Sequence, residues 1–256
     1  MGKDGKYIYC ITETGQERNF GPIGIGQRGD EVLTIGCDDL SMVVSTCLTT
    51  VVSTNRENML GHQKVIEKVM NEFDSVLPVR FGTVASSADE IRNLLDRRYR
   101  EFKSALTDMD HKVELGVKGM WKNMSAVFDE VVEGDKGIKS LKQRISNDPT
   151  GNNTQAKIEI GKMVEHALKS KKEQEAQAVV DALRSTAFDH KLNKTIGDEM
   201  FINAAFLTSK GREKEFDNIM DDLSDEYRDR IKFMYAGPLP VFNFVNIVIY
   251  PEEWEK

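Results

Sequence analysis

Nowhere in this 256-residue chain does an apolar stretch reach the roughly 18 residues that a membrane-crossing helix requires, so no membrane partner is expected. Basic runs are missing too. The net charge is −7 and the isoelectric point is about 5.3, a poor match to nucleic acid or to an anionic lipid surface. The start, Met1 to Lys6, carries charge but no apolar core, so no signal peptide is expected. Gly2 opens a myristoylation pattern that fails at Lys6, where Ser or Thr is wanted. Only three cysteines occur, Cys10, Cys37 and Cys47, with no C-x-x-C pair. That excludes a disulfide framework and points to reduced, buried thiols in a cytoplasmic protein. Of the four histidines, His62, His111, His166 and His190, no two share metal-ligand spacing. No metal, no cofactor and no catalytic constellation are therefore expected.

What is present is ordinary globular composition, 39% apolar and 30% charged, in a chain long enough for two domains. The chain is organised around Thr54 to Leu106, whose centre is the β-rich octamer Val76-Leu77-Pro78-Val79-Arg80-Phe81-Gly82-Thr83. A helical pattern flanks it on each side. Each opens with a capping-box sequence, Thr54-Asn55-Arg56-Glu57 and Ser87-Ala88-Asp89-Glu90. The first helix places Met59, His62, Ile66, Val69 and Phe73 on one stripe, and the second places Ile91, Leu94, Leu95, Phe102 and Leu106. Pro78 cannot donate to a ladder, so the strand begins there or lies at an edge. Before this stretch come a strand at Lys6–Ile11 and a hairpin that turns at Cys37-Asp38-Asp39.

From Val113 the order reads β-α-β-β-α-β, which is ferredoxin-like. Its parts are Val113–Trp121, a long helix from about Thr154 to Ser185, strands at Ala187–Leu192 and Met200–Leu207, a helix around Phe216 to Leu223, and Ile231–Tyr235. The middle of the long helix, Lys169 to Gln174, is polar and expected in water. Gly134 to Asn153 is polar and glycine-rich, with a loop at Asn147–Asn153. The expected fold class is α+β in two domains. Residues 1–110 form a smaller-sheet domain with two helices, 111–237 a modified ferredoxin-like domain, and 238–256 a tail that packs back onto the body. Left exposed, the apolar Val241–Tyr250 would be an aggregation template.

Several residues invite a functional reading. Gly24-Ile25-Gly26-Gln27-Arg28-Gly29 matches G-x-G-x-x-G, but a strand with two leading acids follows it instead of a helix, so a structural loop is the better reading. His62 lies on an apolar stripe and reads as a core histidine bonded to backbone or to a neighbour near Arg80. Arg80, inside an apolar strand, must be paired if buried, with Glu114 as one partner; the alternative is anion binding. Glu114 and Lys118 equally suit the solvated side of a strand. Arg92, Arg97, Arg98 and Arg100 mark the outer face of the second helix and are candidate partner contacts.

Taken together, the segments resemble the gas vesicle protein GvpL/GvpF family. The resemblance rests on Tyr7–Ile11, Gly21–Gly24, Asp39–Ser45, His62, the octamer Val76–Thr83, Val113–Lys118, Asn203–Leu207, and Gly237-Pro238-Leu239-Pro240 through Phe244-Val245. Leu115 and Leu239 stand where the family often has Trp. The resemblance implies a non-enzymatic accessory protein of gas vesicles. It would be located with the vesicle in the cytoplasm, and would contact the main hydrophobic shell protein and other accessory gas vesicle proteins during assembly. A ferredoxin-like module that binds a small molecule or a regulator without catalysis is the alternative.

Overall fold

A computed structural model describes residues 5–26, 28–48, 52–147 and 154–250. The readings made above on 1–4, on Gln27, on the 148–153 part of the loop and on 251–256 fall outside the described residues. The chain divides into two compact units. One holds the residues up to Glu114, with Ser209–Gly211 and the stretch from Gly237 onward; the other holds Leu115–Thr208 and Arg212–Ala236.

The first unit is built on a six-stranded sheet. Its strands are β1 (Gly5–Glu13), β2 (Asn19–Gly21), β3 (Val32–Cys37), β4 (Leu40–Cys47), β5 (Val76–Pro78) and β6 (Val84–Ala85). The order is β2-β3-β4-β1-β5, and β6 also pairs with β1. β5, which holds Pro78, is at the edge of that path, where a missing donor costs nothing. Asp38, in the left-handed region at φ 54°, turns the β3–β4 hairpin, a conformation that aspartate tolerates.

A bulge in β1 organises the core. Ile8 faces Val44 across the ladder while Cys10 faces Val43, so Tyr9 is the extra residue. Tyr7, Tyr9 and Cys10 therefore share one face, and Ile8 and Ile11 share the other. Onto the first face packs α1 (Arg56–Met70) through Val65, Ile66 and Val69; onto the second pack α2 (Ala88–Arg97) and α3 (Tyr99–Asp108) through Ile91, Leu94, Leu95, Phe102 and Leu106. All eight of these helix side chains are at most 3% exposed.

The expectation of a smaller sheet with two helices is thus corrected to six strands and three helices. The octamer is not one strand. Its backbone leaves the ladder after Val79, turns at Gly82 (φ 87°) and returns as β6. The helical pattern of 87–106 breaks at Arg98, whose φ −106° and ψ 19° end α2 and start α3. The first cap also moves: Asn55, not Thr54, accepts the Asn58 amide. At α2 the sequence reading of Ser87 as cap matches the Glu90 amide it accepts, while Glu90 reaches back to Ser86.

The second unit carries most of β7 (Lys112–Trp121), β9 (Met200–Ser209) and β10 (Ile231–Leu239), and all of α4 (Met124–Gly134), α5 (Lys136–Ser146), α6 (Thr154–Leu183), β8 (Ala187–Leu192) and α7 (Glu213–Glu226), with sheet order β10-β7-β9-β8. Helix α5 occupies part of the Gly134–Asn153 stretch that the composition suggested was irregular, and α4 precedes it. Asn123 and Asp135 cap them, and Val127, Val131 and Ile138 supply their buried contacts. The polar middle of α6 is only partly in water. Lys171, 24% exposed at its side chain, pairs with Glu130 and Glu175, and Arg230 joins the same two carboxylates. Trp121 donates its indole N–H to Glu175.

Candidate partner-binding groove

Two tyrosines of β1 fasten the octamer and the glycine-rich loop. Tyr7 Oη accepts the Gly82 amide at 3.1 Å and donates to His62 Nδ1 at 2.9 Å. His62 Nε2 then donates to the Val79 carbonyl at 3.1 Å. A carbonyl only accepts, so the ring proton sits on Nε2 and Nδ1 is the acceptor. Tyr9 Oη accepts the Ile25 amide and bonds to Ser45 Oγ at 2.8 Å. The first tyrosine thus ties the octamer turn to α1, and the second ties down the glycine-rich loop. In that loop a side chain on Gly24 would meet the Asp30 carbonyl at 2.8 Å, so the glycine serves close backbone approach. The segment that follows enters β3 rather than a helix, as the structural reading of G-x-G-x-x-G requires.

His62 is 3% exposed, stacks on Tyr9 and meets Tyr7 and Phe81 edge-on. Burial pushes its pKa down to about 4, against the opposing bond to Val79, so the ring is neutral at pH 7. Burial also raises the Tyr7 phenol, above all other causes, keeping it a donor.

Above this network lies a groove of about 640 Å³, lined by Met59, Leu60, His62, Phe81 and Phe242. Thr54, Asn55, Arg56, Gln63 and Arg80 form its polar margin. Met59 is 51% exposed, Leu60 45% and Phe242 41%. The α1 stripe reaches the sheet only from His62 onward, which leaves Met59 in the open. The spacing of the sequence gives no sign that Leu60, Arg56 and Phe242 share a site. Phe242 arrives from the tail, and nothing in its local spacing announces that.

The sequence-derived candidates scatter. Arg80 is corrected: it is exposed and makes no ion pair among the described residues, because the chain has already left β5. Glu114 is corrected as well. It is buried at 5% exposure, and its two carboxylate oxygens accept the backbone and side-chain amides of Asn243 at 2.8 and 2.6 Å, while Lys118 is solvated. Of the arginines, Arg92, Arg97 and Arg100 are exposed, with Arg92 paired to Asp89. Arg98 turns inward. It holds Glu101 with two nitrogens, covers the Phe102 ring at 4.8 Å and donates to the Val248 carbonyl. Among the described residues, no group of three or more His, Cys, Asp or Glu is placed to hold a metal ion, and no helix is long and apolar enough to cross a membrane.

Antiparallel sheets with helices packed on them define a mixed α+β protein, and its first unit carries an open apolar groove. The chain matches the family model "Gas vesicle synthesis protein GvpL/GvpF" over residues 5–246 and belongs to that family. It is 24% identical over 249 residues to gas vesicle protein F of Haloferax mediterranei, covering 96% of this chain and 95% of that protein. It is 21% identical to gas vesicle protein L1 of Halobacterium salinarum, covering 94% and 90%. The crystal structure of GvpF from Anabaena sp. PCC7120 has the same fold, with a TM-score of 0.83, 22% identity and coverage of 96% of this chain and 100% of that one. Family membership supports an accessory role in gas vesicles.

Proposed function

We propose that this chain is a non-enzymatic assembly protein of gas vesicles that binds the main hydrophobic shell protein during vesicle formation, in the cytoplasm and beside other accessory proteins. The observation that carries the reading is the open groove of Met59, Leu60, Phe81 and Phe242, an exposed apolar patch with a polar margin in a member of this family. An unassembled apolar shell subunit must be covered, and an acidic carrier keeps the complex dispersed. The exposed face of Arg92, Arg97 and Arg100 is a second surface for accessory partners. The second unit is best described as a ferredoxin-like fold whose first crossover is expanded to three helices, since its sheet order β10-β7-β9-β8 is fourth-first-third-second.

The test is co-purification of the full chain with the shell protein, alongside vesicle counts in cells that lack it. Retention at moderate salt and loss of normal vesicles are expected. No retention together with normal vesicles would end the proposal.

A further inference from the structure

We infer that the groove takes a segment of the shell protein in which a bulky apolar side chain lies beside a carboxylate; this rests on the shell-binding reading above. The polar atoms of the network beneath the floor already hold partners. The Val79 carbonyl is held by His62, the Gly82 amide by Tyr7, and both His62 nitrogens are used. With Phe81, Phe242, Met59 and Leu60 around a neutral imidazole, that floor selects an apolar side chain.

The margin selects charge. Arg56 and Arg80 both line the groove, and among the described residues no Asp or Glu does. Neither arginine makes an ion pair among the described residues, whereas Arg28, Arg92, Arg98, Arg212, Arg228 and Arg230 each hold a carboxylate. In a chain of net charge −7, this places two positive charges at an apolar opening. Charge complementarity of this kind sets the register and the identity of the bound segment.

The experiment measures binding of overlapping peptides of the main shell protein to the full chain. It compares the native chain with Arg56→Glu/Arg80→Glu and with a control reversal, Lys157→Glu/Lys162→Glu, on the exposed side of α6. Retained peptides are expected to carry Asp or Glu within two positions of a bulky apolar residue. The groove reversal should weaken them at least tenfold, the α6 reversal should not, and replacing the peptide acid by Lys should restore binding to the groove reversal. Both arginines are exposed, so an unchanged melting temperature verifies folding. Retained peptides without an acid, or binding indifferent to the groove reversal, would overturn the inference while leaving shell binding intact. If neither the peptides nor the whole shell protein are retained by the native chain, the shell-binding reading itself fails and this inference with it.

Discussion

His62 shows how one buried ring couples the octamer to pH. Its folded pKa of about 4 lies below the ordinary 6.5, so between those values the unfolded chain binds a proton that the folded chain refuses. Stability is fully present above about pH 6.5 and falls as the medium is acidified toward 4. From pH 7 to pH 5 the loss from this ring is about 2 kcal/mol. In urea titrations at both pH values, His62→Gln should lose less on acidification than the native chain by about that amount; equal losses would refute it. Arg80 gives the opposite forecast. Being exposed and outside any ion pair among the described residues, it should tolerate Arg80→Ala within about 0.5 kcal/mol. A loss of several kcal/mol would restore the buried-pair reading.

At the scale of elements, the two helix starts behave differently from their sequence signatures. Both carry a hydroxyl residue followed three positions later by Glu, yet only Ser87 caps, because Asn55 supplies a carboxamide oxygen one position inside the first box. Asn55→Ala should therefore cost about 1 kcal/mol and Thr54→Ala little, as read from thermal unfolding. Arg98 joins three features at the α2–α3 break: the Glu101 pair, the Phe102 face and the Val248 carbonyl. Arg98→Ala should cost about 1–2 kcal/mol and quicken amide exchange around Val245 to Ile249. Unchanged exchange there would show that apolar packing alone fixes the tail.

For the molecule as a whole, the tail decides what the first unit is. Val241 and Ile247 are 2% and 4% exposed, Ile247 bridges Val79, and Asn243 closes on Glu114. Removing residues 241–256 should cost about 3–6 kcal/mol from those two apolar side chains alone and expose the core beside Val79. A truncated chain that stays monomeric with an unchanged melting temperature would contradict this. The groove shares that dependence, since Phe242 forms part of its wall.

The sequence by itself determined the elements whose pattern is local. The stripes of α1 and α2–α3, the edge position of Pro78, the strands β8 and β9, and the structural reading of the glycine-rich loop all follow from spacing and backbone chemistry. Family membership was legible because LPVRFGT and the Gly237–Val245 motif carry long-range constraints in short strings. Tertiary structure alone decided which side of a residue faces water. Spacing places Met59 and Val69 on one stripe, but only contact with the sheet separates the exposed from the buried. Arg80 reads as buried because its neighbours are apolar, and is exposed because the chain leaves the ladder after Val79. Glu114 found its partner 129 positions away, in Asn243, and the groove exists only where α1, the octamer turn and the tail converge. Such pairings depend on three-dimensional proximity between distant segments, which no local period encodes.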